Sequence, residues 1–166
     1  MKLAEALCVR ADLQNRIAQL EQRLKSVAKI QEGDVPEESP EDLFAELHQA
    51  ASQLEDLIYR INCTNLHTFR DGETVTSMIA KKDALTMEIN ALRNVLKAAA
   101  EPEHRYSRGE IKYVRTLDMV RLRKKIDSLS AQLRKTELNI QETNWSVELE
   151  EAGRQPDRLM SESGEI

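Results

Sequence analysis

Little in this 166-residue sequence can break a helix. Five glycines and four prolines serve the whole length, and aromatic side chains make up only 4%. Such a shortage leaves little material for turn-rich β architecture and fits long helices. Cysteine is scarce too. Cys8 and Cys63 fall beside the apolar seams described below, level but not facing, which makes them poor disulfide partners. Free thiols in a reducing compartment are the simpler expectation. No run approaches the roughly 20 apolar residues that cross a bilayer. The opening stretch MKLAEALCVRADLQNRIAQL has neither the continuous apolar core nor the cleavage site of a secretory signal. The expected place is the cytoplasm, without membrane contact.

Enzyme signatures are missing as well. There is no GxGxxG, no Walker-type phosphate loop, no HExxH and no CxxC. Cys63 and His67 are spaced to share one helical face, but His48 and His104 lie far away, so a closed zinc site lacks ligands. Nothing identifies a base and an orienting group near either thiol. No catalytic residue, cofactor or metal is therefore assigned, and the chain is expected not to be an enzyme.

What is present is heptad-like. Leu13, Ile17, Leu20, Leu24 and Val27 step by four and three, with Leu3 and Ala6 extending the stripe backwards. A linker, QEGDVPEESP, ends this first helix. Ser39 can cap the second, Pro40 suits its first position, and Glu41 and Asp42 favour the positive end of its dipole. Leu43, Leu47, Ala50, Leu54, Leu57 and Ile61 continue the rhythm until NCTNLHTFRDGETV abandons it, with Asp71-Gly72 as a tight turn or small hairpin. The third helix is predicted from about Thr76 to Ala99, with Met78, Leu85, Ile89, Leu92 and Leu96 on its seam. Ile79, Met87 and Val95 widen its apolar surface, which suggests more than one neighbour. The fourth starts near Thr116, with Met119, Leu122, Ile126, Leu129, Leu133, Ile140 and Val147 on its seam. The predicted fold is all-α: an antiparallel bundle of four long helices with coiled-coil-like seams, and short β-like segments in the 66–75 and 104–116 connections. Residues 1–149 form one helical domain in this reading, and 150–166 a disordered acidic tail.

Charge is unevenly laid out around a net −5. Residues 30–59 contain no Lys or Arg, whereas Arg105, Arg108, Lys112, Arg121, Arg123, Lys124 and Lys125 crowd the later stretch. With Tyr106 alongside, these could bind an anionic ligand or make an intersubunit contact. Nucleic acid is disfavoured by the overall sign of charge, and the acidic linker offers a neutralising neighbour. Ile111, Tyr113 and Arg115 alternate as in a short strand, which would need a partner, including one from a second chain. A second, polar grouping is Asn62, Asn65, Arg70, Asn144 and Trp145. Helix capping accounts for most of it, and a small polar pocket at one pole of the bundle is the functional alternative.

The order of RADLQNRIAQL, INCTNLHT, RYSRGEIKYV and IQETNWSVEL resembles a septicolysin-like family of small bacterial helical proteins of unknown function, over most of residues 1–149. The resemblance implies a self-associating helical protein, a dimer or higher, with a ring-like hexamer among the arrangements. It brings no catalytic residues. Three functions follow as expectations. The first is a structural or interaction role through homo-oligomerisation. The second is an anion-binding module using the basic 105–125 segment. The third is a toxin of the septicolysin type, or an enzyme at the Asn62/Trp145 pole.

Overall fold

In a computed structural model, residues 1–100, 114 and 116–151 are described. They form four helices and one minimal hairpin: α1 (Leu3–Val27), α2 (Pro40–His67), β1 (Phe69–Arg70), β2 (Glu73–Thr74), α3 (Val75–Ala100) and α4 (Met119–Ser146). The all-α expectation holds, and the β-like segment at 66–75 is the β1–β2 pair. The one at 104–116 lies largely outside the described residues, as does most of the tail. By contacts the chain divides into two compact units, one of Met1–Thr68 with the residues from Asn144 onward, the other of Phe69–Thr143.

The first unit is built on the antiparallel α1–α2 pair. The linker turns at Gly33, whose φ of 94° needs glycine, and Ser39 accepts the Asp42 N–H at 3.3 Å with Pro40 at the first helical position. Near the linker, Leu20, Leu43 and Ala50 form one buried cluster, with Ile17, Leu24, Val27 and Leu47 against it. At the other end Leu3, Ala6, Leu57, Ile61 and Leu149 form another, with Leu7 and Leu13 alongside. From α1, Arg23 holds Glu38 of the linker with two nitrogens and Arg16 reaches Glu46 of α2 at 3.4 Å. The acidic linker's Glu38 is thus neutralised by α1.

Helix α2 runs six residues past Ile61, where the apolar rhythm stops. Thr64 takes the next core position and is fully buried. Its hydroxyl donates to the Arg60 carbonyl at 2.8 Å and accepts the Glu150 N–H at 3.0 Å. A hydroxyl satisfied twice can occupy a seam that hydrophobicity alone reads as interrupted.

The chain returns to this unit after α4. Leu3 N–H donates to the Val147 carbonyl at 2.9 Å, and Leu149 N–H to the Met1 carbonyl at 2.8 Å, an antiparallel bridge of Lys2 with Glu148. The Met1 amine and Lys2 Nζ lie 3.0 and 2.8 Å from the Glu148 carboxylate. Arg60 Nε donates to the Glu150 carbonyl at 2.9 Å.

In the second unit the hairpin pairs Phe69 with Thr74 and Arg70 with Glu73. Its two-residue turn has Asp71 at φ 53° and Gly72 at φ 83°, the left-handed pair that a right-twisted hairpin prefers. Val75, Met78, Leu85 and Ile89 are buried on α3, and Ile126 and Thr136 on α4. Three contacts fix the two helices as antiparallel: Arg70 with Glu142, the shared groove of Met78 and Thr136, and Lys125 with Glu88 at 2.9 Å. Asp118 caps α4, accepting the N–H groups of Val120 and Arg121 at 3.0 Å each.

Leu20 is 1% exposed, whereas Phe44 is 60% exposed. Leu20→Ala should lower unfolding free energy by ~3 kcal/mol, and Phe44→Ala by no more than about 0.5 kcal/mol. Urea midpoints of the two variants check the contrast.

Candidate functional site

The feature of α3 that the described residues of its own unit leave uncovered is its outer face. Ala80, Ala84, Met87, Ala91, Val95 and Ala98 step by four, three, four, four and three, and all six are exposed. Met87 is 74% exposed. The spacing gathers them in one stripe roughly opposite the buried seam of Val75, Met78, Leu85 and Ile89. Helix α3 is therefore apolar on two sides. The sequence registers this through Met87 and Val95. The alanines between them pass as generic helix formers, although their own spacing carried the signal.

In the first unit α2 also shows apolar side chains to solvent: Phe44, Ile58 and Leu66, 60, 37 and 56% exposed. Glu55 and Asn62 lie along the same line, so this face is broken where that of α3 is continuous.

A shallow groove lies among the hairpin, α3 and α4 of the second unit. Arg70, Glu73, Lys81, Gln132, Lys135 and Asn139 line it, and buried Met78 contributes to its wall. Arg70 holds Glu142, and Lys81 is 3.0 Å from Glu73. Lys135 has no ion-pair partner among the described residues. Nearly equal numbers of cations and carboxylates leave this groove close to neutral.

The basic segment is partly visible. Arg105, Tyr106, Arg108 and Lys112 lie outside the described residues. Arg121, Arg123 and Lys124 are exposed at the start of α4 with no ion pair among the described residues, whereas Lys125 is tied to Glu88. Of the polar grouping, Asn62 is exposed, Asn65 and Asn144 are half-buried, and Trp145 is 67% exposed on the last turn of α4. These four belong to the first unit, and Arg70 to the second.

The Cys63–His67 spacing is engaged otherwise. Cys63 hydrogen-bonds Tyr59 one turn away and thereby raises the Tyr59 hydroxyl above its ordinary 10.0. His67 Nδ1 lies 3.0 Å from both Glu150 oxygens. Among the described residues no three His, Cys, Asp or Glu side chains gather as a metal site. Cys8 and Cys63 are both free thiols. No described helix is long and apolar enough to cross a membrane.

Two carboxylates are held below their ordinary 4.5: Glu38 by its hydrogen bond to Arg23, and Glu148 by hydrogen bonds to Lys2 and the Met1 amine. A depressed folded-state value stabilises the fold above the unfolded value of about 4.5, and that contribution is lost as pH falls through the folded value. Glu38→Gln and Glu148→Gln should each flatten the acid limb of the urea midpoint against pH, leaving the curve above neutrality parallel to that of the unsubstituted protein.

The model of a family described as a family of unknown function (DUF6847) matches residues 10–149. No curated protein matches the chain. A solved structure from Corynebacterium diphtheriae, described as a functionally unknown conserved protein, is 40% identical in sequence, with a TM-score of 0.81. The match covers 90% of this chain and 99% of that one.

Proposed function

This chain belongs to DUF6847, a family of unknown function, and from that starting point we propose that it is a non-catalytic cytoplasmic protein acting by assembly with copies of itself. The observation that carries the reading is the continuous exposed stripe of α3. A sequence in which 32% of residues are charged keeps about 27 Å of helix surface free of charge along that line. Apolar surface left in water is unfavourable and becomes favourable on association. The septicolysin-like resemblance contributes to this reading through the self-association it implies.

Light scattering on the purified protein tests it. The mass should exceed the 19.0 kDa of one chain and persist at high salt, because apolar contact is not screened. A single-chain mass at every concentration and salt overturns the reading.

The cations Arg121, Arg123 and Lys124, without an ion pair among the described residues, favour a second reading, an anion-binding surface; in sequence Arg105, Tyr106, Arg108 and Lys112 precede them. Binding to a heparin column would then weaken steeply with salt. Replacing Arg121, Arg123 and Lys124 together with Gln would shift elution to lower salt by an amount that tracks the three charges removed. Unchanged elution removes this reading.

A further inference from the structure

The self-association proposed above leaves open which surface meets which, and the pattern of large and small residues on α3 answers that. We propose that the outer face of α3 pairs antiparallel, about a two-fold axis, with the same face of a second copy of this chain.

The stripe reads Ala-Ala-Met-Ala-Val-Ala from residue 80 to residue 98. Laid antiparallel on itself and centred near residue 89, it places Ala80 opposite the partner's Ala98 and Met87 opposite the partner's Ala91. Val95 falls within one residue of the partner's Ala84. Each large side chain thus meets a small one, and no level holds two large residues. A parallel pairing would set Met87 on the partner's Met87 and Val95 on the partner's Val95, with alanine opposite alanine elsewhere. Close packing of helices favours the first arrangement, in which volume is even along the contact and the backbones approach uniformly.

The charges bordering the stripe agree. Asp83, which lies 3.4 Å from Lys82 of its own helix, and Lys97 are both exposed on one flank, and antiparallel pairing brings each within reach of the partner's opposite charge. Near the axis Glu88 approaches its own copy, a like-charge contact, but Lys125 already neutralises it at 2.9 Å. The α2 face lacks this self-complementarity, being interrupted by Glu55 and Asn62. At 19 residues the stripe is under three heptads, so the pairing is reversible and depends on concentration.

The test combines mass and distance in the full chain. Light scattering up to about 100 μM should show an oligomer that Ala84→Glu with Ala91→Glu weakens by at least about a hundredfold, since carboxylates would be buried without partners. Both positions are exposed in the single chain, so circular dichroism and the urea midpoint should stay near those of the unsubstituted protein. Spin labels on Ser77→Cys, in a Cys8→Ser, Cys63→Ser background, should lie roughly 36 Å apart in the antiparallel pair, 24 residues at the helical rise. A separation near the ~10 Å of adjacent helix axes would mean parallel pairing and overturn the proposal. An oligomer untouched by the two glutamates also overturns it, while leaving self-association standing. A monomer at every concentration overturns both.

Discussion

The burial of Leu149 among Leu3, Ala6, Leu57 and Ile61 is the contact on which the first unit depends. Two helices in an antiparallel pair can cover one stripe each, and their open end would leave Leu3 and Ile61 facing water. Leu149 closes that end. Its position is set by main-chain bonds from Leu3 to Val147 and from Leu149 to Met1, and by Thr64, which receives the next N–H along. Backbone groups that would be orphaned at a buried helix end are thereby satisfied, and the apolar cluster is paired with a polar one rather than exposed. The surrounding ion pairs, Met1 and Lys2 with Glu148, are exposed and add little by themselves. They direct the segment more than they hold it.

The helices were legible because their signal is local. A four-three spacing survives inspection of one short window, and so do Ser39-Pro40 as a start and Asp71-Gly72 as a turn. Thr64, Thr136 and Thr143 were not legible as core. Each is buried, and each hydroxyl bonds the carbonyl four residues back, so a polar side chain fills an apolar slot without leaving an unmet donor. The return of residues 147–150 to the beginning of the chain was invisible for a different reason. Nothing in VELE announces a partner more than 140 residues away, and a two-residue bridge has no periodicity to detect. The fourth helix begins at Met119 rather than near Thr116, because Asp118 caps it there.

The candidate surface was half legible. Met87 and Val95 stood out as apolar residues off the seam, and the breadth of that face suggested a second neighbour. Alanine hid the rest. It is the best helix former and is common in helices for that reason alone, so Ala80, Ala84, Ala91 and Ala98 carry meaning only once the buried side of α3 is known. Of the polar grouping, Arg70 answers to Glu142 in the second unit, while Asn62, Asn65, Asn144 and Trp145 sit on α2 and the end of α4 in the first.

The bridge that joins Met1 to Leu149 also orders events in time. The Met1–Glu148 contact spans 147 residues, against 15 for Arg23–Glu38. Loop closure grows as the logarithm of length, so the longer loop costs roughly 2 kcal/mol more to close from the disordered chain. The α1–α2 pair can therefore form by itself as an early local event, with its far end still wet. By that cost alone, docking of residues 147–150 is expected after the α1–α2 pair has formed, and its release before that pair opens, which would make the seal on the hydrophobic end of this unit its latch as well.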